Sequence, residues 1–109
     1  MLETLNRILP GLLLVAGYTF LPLAPAFAAD TNHGKAIAQR WCVSCHIVER
    51  GQKSPTTDQA PPFASLAQRP DFTADRLAFL LLKPHPNMPQ LALSRTEVAD
   101  LADYILTLK

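Results

Sequence analysis

Two cysteines and a histidine are the residues of this chain whose types and spacing could do chemistry. In Cys42-Val43-Ser44-Cys45-His46 the two thiols stand one helical turn apart, and an imidazole follows directly. Thiols at this spacing can form thioethers with the two vinyl groups of one haem, while the adjacent imidazole reaches the iron from the same side. The motif therefore predicts one covalently attached haem c, held by Cys42, Cys45 and His46.

Three other interpretations of the cysteine pair have to be weighed. A thioredoxin-like dithiol shares the spacing but needs a βαβ context, and the sequence has no such pattern. A disulfide would close a very small loop and would restrict the unfolded chain little. A zinc site would need two further ligands, and only His33 and His85 are left to supply them. We expect His33 to be a solvated residue near the start of the first helix, with no role in the site.

The sixth coordination position of such an iron is either open or filled by a further side chain. Apart from Met1, the only methionine is Met88, which lies between prolines in residues 84–89. The prolines fix the loop and favour an extended conformation at Met88, which suits a weak thioether ligand that must be held in place. We predict Met88 as the axial ligand. A core-filling role for Met88, ligation by His85 and an open position are the alternatives.

The first 28 residues are typical of a secretory signal peptide. Residues 8–29 carry no charge, and an apolar run and two prolines precede a small-x-small pattern that ends at Ala28. We predict cleavage after Ala28, a domain spanning residues 29–109 and a location in the periplasm. An uncleaved membrane anchor is the alternative, because a helix over residues 8–29 would just cross about 30 Å of hydrocarbon.

Composition and patterning limit the class of the remaining domain. Over the full chain, ten Lys and Arg against nine Asp and Glu give a net charge of +1, which excludes a nucleic-acid binder with a large positive excess and an acidic disordered chain. No segment alternates apolar and polar residues as a half-buried strand would, so the pattern predicts an all-α fold. A domain this small has a marginal core, which a bound prosthetic group would supplement.

Three main helices and one short helix are predicted to position the motif. The first covers about residues 32–42, leads into the cysteines and carries its apolar residues on one face: Gly34, Ile37, Ala38 and Trp41. Residues 50–70 should be mostly irregular, with a short helix near residues 63–68.

The other two main helices have clear start signals. Thr73 is a plausible N-cap for a helix that ends at Leu82 and, being apolar on nearly all sides, should be wedged between neighbours. The last helix opens with a Ser94–Glu97 capping box and continues to Leu108. In it, Val98, Leu101, Ile105 and Leu108 should face inward, and Glu97, Asp100 and Asp103 outward.

With the attachment motif, the later Met-Pro and the terminal amphipathic helix, residues 32–109 resemble class I cytochromes c, small helical domains that carry electrons. The resemblance implies that Gly34 packs against Tyr104 where the first and last helices cross. It also implies that the Pro61 carbonyl accepts the Nδ1 proton of His46, which would fix the imidazole tautomer and raise its basicity. The side chains implied to line the haem are Phe63, Leu66, Leu77, Leu80, Leu81 and Leu91.

One departure from the family concerns the haem propionates. The only tryptophan is Trp41, directly before Cys42, so the tryptophan that bonds a propionate in some members is missing. The candidate replacements are Arg69, Gln68 and Arg50.

The expected function is a one-electron carrier between redox proteins such as a dehydrogenase, a cytochrome complex or a terminal oxidase. We expect a monomer that is not an enzyme, with no nucleic-acid partner and a membrane association only if the leader is not cleaved. One alternative is a haem subunit of a larger dehydrogenase or oxidase complex. Another is a peroxidase-like or gas-binding haem protein, if Met88 does not bind the iron.

Overall fold

A computed structural model describes residues 22–53, 60–83 and 88–109. Four helices follow one another along the chain, and the described ranges contain no strand, which confirms the all-α prediction. The helices are α1 (Thr31–Trp41), α2 (Phe63–Ala67), α3 (Ala74–Leu82) and α4 (Arg95–Leu106).

The predicted leader falls mostly outside the described residues. Residues 22–30 are exposed and have no regular secondary structure, and residues 1–21 are not described. None of the helices within the described ranges has the length and apolar character needed to cross a membrane.

Local side-chain caps explain where α1, α3 and α4 begin. The Asp30 carboxylate accepts the backbone N–H of His33 at 3.0 Å, so α1 starts at Thr31 rather than at residue 32. Thr73 caps α3 as predicted, and the Ser94–Glu97 capping box is present at the start of α4. Each cap satisfies a backbone donor that has no partner within the helix.

Helix α4 is the centre of the packing, because α1, α2 and α3 each lie against it. Its most extensive interface is with α1, and its inward face contributes Val98, Leu101 and Ile105 to the core as predicted. Leu108 is half-buried against the same core.

The crossing of α1 and α4 occurs at Gly34. A Cβ atom there would stand 2.0 Å from the Asp100 carbonyl oxygen and 3.0 Å from the Leu101 backbone nitrogen. The glycine therefore lets two helix backbones touch. The family resemblance implies that Gly34 packs against Tyr104; the three atoms nearest to such a Cβ belong to the backbone of Asp100 and Leu101.

The prediction that Asp100 faces outward is wrong. Asp100 is only 4% exposed, accepts the Asp30 backbone N–H at 2.7 Å and lies 2.7 Å from Nδ1 of His33. Asp103, also predicted outward, is half-buried and accepts a hydrogen bond from the Thr31 hydroxyl. The two carboxylates face the start of α1 because its backbone and side-chain donors lie there.

His33 is exposed near the start of α1, as expected, and it also contacts Asp100. Its ring is half-exposed, yet it pairs with Asp100. That hydrogen bond and the nearby carboxylates raise the pKa of His33. The pKa of Asp100 is lowered by the same hydrogen bond and by the hydrogen bond from the Asp30 N–H.

Two further predictions of burial are wrong. Trp41 is 49% exposed, because α1 ends there and the chain turns so that Cys42 enters the core instead. Helix α3 is not enclosed on all sides: Leu77 and Leu81 are buried, whereas Phe79 and Leu82 are 55% and 77% exposed. Only the face of α3 turned toward the core uses its apolar side chains.

Candidate functional site

A single turn at the end of α1 carries both cysteines. Cys42 caps the helix, with its N–H bonded to the Ala38 carbonyl at 2.9 Å, and the Cys42 carbonyl accepts the N–H groups of Cys45 and His46 at 3.1 and 2.9 Å. Both thiols are free; Cys42 is buried and Cys45 is half-buried. Burial raises the pKa of the Cys42 thiol to about 11. The turn thus presents two thiols and one imidazole from five consecutive residues.

His46 is buried, and its ring is held on two sides. Nδ1 lies 2.8 Å from the Pro61 carbonyl oxygen, to which it donates, and the ring centroid is 5.3 Å from that of Phe63. A neutral imidazole that donates through Nδ1 keeps an unprotonated Nε2, and a lone pair on Nε2 is what a metal ligand requires.

The segment from Pro61 to Phe63 brings the carbonyl to the imidazole. Pro62 stands at the N-cap of α2, and the Phe63 N–H donates to the Ile47 carbonyl at 2.9 Å. Phe63 itself is only 4% exposed. A backbone contact on one side of His46 and a side chain on the other therefore come from the same short segment.

The loop that follows His46 is held by a residue that sequence reasoning missed. The Gln52 side chain donates to the His46 carbonyl at 2.9 Å and accepts the Val48 N–H at 2.7 Å. From α4, the Tyr104 hydroxyl donates to the Val48 carbonyl at 2.7 Å. No sequence pattern marks an amide in an irregular loop as a partner of the backbone four and six residues earlier.

The predicted apolar lining is divided between core and partly buried positions. Phe63, Leu77 and Leu81 are buried, and Leu66, Leu80 and Leu91 are half-buried. Met88 is half-buried and packs against the hydrophobic core. The rival ligand His85 lies outside the described residues.

Two arginines border a small open cleft between α2 and α3. Asp71 bridges them: its two carboxylate oxygens lie 3.5 Å from Nε of Arg69 and 3.8 Å from Nε of Arg76. The full lining is Leu66, Arg69, Asp71, Phe72, Arg76 and Leu80. Arg69 was a predicted propionate partner, whereas Arg76 was missed because nothing in the sequence links it to the other guanidinium.

The other two propionate candidates lie elsewhere. The Arg50 guanidinium donates to the Lys109 carbonyl at 3.1 Å, at the end of the chain. Gln68 is exposed and forms the C-cap of α2. Neither side chain borders the cleft.

The geometry gives little support to a disulfide or a zinc site at the two cysteines. Both cysteines are free rather than joined in a disulfide. Within the described part of the chain, no three His, Cys, Asp or Glu side chains cluster as a metal site would require, and His33 is paired with Asp100. Two free thiols in one turn and an imidazole with a free Nε2 are the donor set that haem c needs.

Comparison with known proteins places this geometry in a family. Residues 29–105 match the family described as "Cytochrome C oxidase, cbb3-type, subunit III". The chain belongs to this family of c-type cytochromes. A curated relative, "Cytochrome c-552" of Bradyrhizobium diazoefficiens, is 55% identical over 84 residues, which cover 77% of this chain and 80% of the relative. No solved structure matches the chain.

Membership confirms the resemblance drawn from the motifs. The cytochrome carries one covalently attached haem c, consistent with its two cysteines, and it is an electron-transfer protein rather than an enzyme. Its partners are accordingly redox proteins.

Proposed function

We propose that this cytochrome is a one-electron carrier in the periplasm, with haem c attached through Cys42 and Cys45 and axially bound by His46 and Met88. The bound haem supplies the one-electron Fe(II)/Fe(III) couple. The observation that carries the proposal is the 2.8 Å contact between His46 Nδ1 and the Pro61 carbonyl.

The Pro61 contact supports His46 as the proximal ligand for two reasons. It holds the tautomer in which Nε2 is the free nitrogen, and it increases the electron-donating strength of the imidazole. Phe63 packs against the same ring and excludes water from that side. The protein therefore keeps one imidazole in one orientation in both oxidation states, which keeps the structural change on electron transfer small.

Met88 is proposed as the second axial ligand. It is half-buried against the core and is followed by Pro89, which disfavours helical backbone at Met88. A thioether favours ferrous over ferric iron, so this ligation raises the reduction potential. With both axial positions filled, small molecules find no open coordination site.

We assign the haem propionates to the cleft bordered by Arg69 and Arg76. The cleft joins two half-buried leucines predicted to line the haem, Leu66 and Leu80, to a pair of guanidinium groups. Guanidinium is the side chain best suited to binding carboxylates. Asp71 bridges the two arginines, with its carboxylate oxygens 3.5 Å from Nε of Arg69 and 3.8 Å from Nε of Arg76.

Export and cleavage remain part of the proposal. The family match begins at residue 29, directly after the predicted cleavage site at Ala28, and residues 22–30 are exposed. The processed protein would then be a monomeric domain of residues 29–109. Intact mass spectrometry of protein from the periplasmic fraction should show Ala29 as the N-terminus; a membrane-bound species that retains residues 1–28 would instead support an anchor.

Covalent attachment is tested by denaturing electrophoresis followed by a haem stain. Haem should remain on the wild-type polypeptide, and Cys42→Ser or Cys45→Ser should leave one thioether at most and a poor yield. Loss of haem from the wild-type protein under these conditions would overturn the attachment sites.

Axial ligation is tested by carbon monoxide binding and redox titration. The wild-type ferrous protein should not bind carbon monoxide at neutral pH, whereas Met88→Ala should bind it and have a lower potential. His85→Ala, three residues earlier in the sequence, is the matched control and should leave both properties unchanged. Ready carbon monoxide binding by the wild-type protein, together with the absence of the far-red sulfur-to-iron band when oxidised, would overturn Met88 and favour a gas-binding or peroxidase-like haem.

One observation favours a second candidate, a haem subunit of a larger complex. The matching family is described as a subunit of an oxidase, and Phe79 and Leu82 expose apolar surface on α3. Size measurement of the native protein in detergent extracts distinguishes the two functions. Comigration with an oxidase or dehydrogenase that is lost in Phe79→Ser/Leu82→Ser would support the subunit role, and a free protein of domain size would support the carrier.

A further inference from the structure

One side chain closes the loop that carries His46. The Gln52 amide uses both of its ends: Nε2 donates to the His46 carbonyl at 2.9 Å, and Oε1 accepts the Val48 N–H at 2.7 Å. The side chain is half-buried, and the loop that it closes is not helical. Both backbone groups would otherwise lack a partner in a partly buried segment, which is costly.

The backbone after the loop is shaped to bring Gln52 back to it. Gly51 has φ 78°, in the left-handed region that glycine adopts without strain. Residues 49–52 form a turn, and the Gln52 N–H reaches toward the Glu49 carbonyl at 3.5 Å. The chain thus reverses within four residues, and this reversal places the amide against the backbone of His46.

Other contacts hold the far side of the same loop. The Phe63 N–H donates to the Ile47 carbonyl at 2.9 Å, and the Tyr104 hydroxyl donates to the Val48 carbonyl at 2.7 Å. These contacts fix residues 47 and 48. Among the side-chain hydrogen bonds that the structure shows, the one from Gln52 is the one that reaches the backbone of His46.

We propose that Gln52 is a positioning residue for the proximal imidazole: by holding the main chain of His46, it keeps Nδ1 in hydrogen-bond reach of the Pro61 carbonyl. This inference rests on the proposed role of His46 as an axial ligand. Without Gln52 the His46 backbone moves more freely, and the Nδ1 bond is weakened. A weaker bond makes the imidazole a poorer electron donor, which favours ferrous iron and raises the potential.

The test uses Gln52→Ala in the intact haem protein, with Lys53→Ala as the control at the adjacent exposed position. Solvent exchange of the His46 Nδ1 proton is followed by NMR in the diamagnetic ferrous state, and the reduction potential is measured at neutral pH. We expect exchange about tenfold faster in Gln52→Ala, which corresponds to about 1.4 kcal/mol less resistance to local opening, and an upward shift in potential. Lys53→Ala should change neither quantity.

Gln52→Glu separates positioning of His46 from general support of the loop. A carboxylate still accepts the Val48 N–H but cannot donate to the His46 carbonyl. If Gln52 positions His46, Nδ1 exchange in Gln52→Glu should be as fast as in Gln52→Ala; if Gln52 only secures Val48, exchange should stay at the wild-type rate. Because the new charge itself affects the potential, exchange is the deciding measurement for this variant, and it decides alone if Gln52→Ala yields no holoprotein.

A lower unfolding temperature in Gln52→Ala with unchanged exchange and potential would overturn the proposal and leave Gln52 a purely structural residue. The proposed ligation fails in a different way. If the His46 ring protons of the wild-type ferrous protein lack the large upfield shift of a haem-bound imidazole, His46 is not the ligand, whatever the Gln52 variants show.

Discussion

Replacing Gly34 with alanine sets the helix preference of alanine against the lack of space between α1 and α4. In an exposed helix, Gly→Ala stabilises by about 1 kcal/mol. Here the added Cβ would lie 2.0 and 2.5 Å from the carbonyl oxygen and carbon of Asp100 and 3.0 Å from the Leu101 nitrogen, where ordinary contacts begin at 3.4 Å. All three are backbone atoms of a helix, so no side-chain rotation relieves the overlap.

The two helices would have to separate by more than an ångström at their main interface. Overpacking of this kind costs about 1–3 kcal/mol or more, and the upper end applies because backbone is on both sides. After the gain in helix preference is subtracted, we expect Gly34→Ala to lower the free energy of unfolding by about 2 kcal/mol. For a domain of this size that corresponds to a fall of about 8–16 °C in unfolding temperature.

The assay is thermal unfolding of the oxidised haem protein followed by far-ultraviolet circular dichroism. Ala36→Gly, at an exposed position of the same helix, is the control and should lose about 1 kcal/mol from helix preference alone. If only helix preference mattered, these opposite exchanges would have opposite effects; we predict that both destabilise. An unfolding temperature of Gly34→Ala equal to or above that of the wild type would refute the reasoning.

Three further predictions concern α4. Tyr104→Phe removes the donor to the buried Val48 carbonyl, and urea titration should show a loss of about 1–2 kcal/mol; an unchanged midpoint would contradict this. The pKa of His33 is raised from its unfolded-state value of 6.5, and the pKa of Asp100 is lowered from its unfolded-state value of 3.8. Their pairing therefore stabilises the fold fully between pH 3.8 and pH 6.5. This contribution declines as the pH rises through the pKa of His33 or falls through the pKa of Asp100. Asp100→Asn should therefore reduce the decline in unfolding temperature between about pH 5 and about pH 8, and an equal decline in both proteins would argue against the pair. Ser94→Ala removes the capping box and should cost about 1 kcal/mol, measured by the same urea titration; a loss near zero would show that the cap is redundant.

The elements that local chemistry determines were predicted well. Helix starts at Thr73 and Ser94 depend on side chains within three residues of the backbone groups that they cap. The absence of alternating apolar and polar residues, which argued against strands, is also a pattern among neighbours in sequence, and so is the apolar spacing of α4. For this reason the fold class and the starts of α3 and α4 could be predicted before any tertiary contact was known, whereas α4 ends at Leu106 rather than at the predicted Leu108.

The errors come from contacts between distant parts of the chain. Asp100 was assigned to the surface because carboxylates usually are, but the Asp30 N–H and the His33 ring that satisfy it lie near the other end of the domain. Trp41 was assigned to the core by continuing the spacing of α1 into its last residue, where the chain already turns. Spacing specifies a face of a helix, but it does not specify which donors the neighbouring helix brings to that face.

In the candidate site too, the residues that could be predicted are those marked by a local motif, and the residues that were missed depend on contacts made in the folded chain. Cys42, Cys45 and His46 are recognisable from a local motif, whereas the approach of Pro61 to His46 was available only through the family resemblance. Gln52 and Arg76 had no signal of either kind. Their importance depends on atoms that the fold brings together.

The backbone contact at Gly34 also has a consequence for the order of folding. The largest helix interface joins the first described helix to the last, and Gly34 and Asp100 meet only after nearly the whole domain is available to close the loop between them. Contacts between residues so far apart in sequence require the full loss of loop-closure entropy before they contribute any stability. A chain that stops before α4 therefore lacks the surface on which α1, α2 and α3 all pack. Such a truncated chain should remain unfolded with its cysteine motif exposed, so a C-terminal deletion of this cytochrome should behave as an all-or-none loss of folding rather than as a smaller, weaker version of the domain.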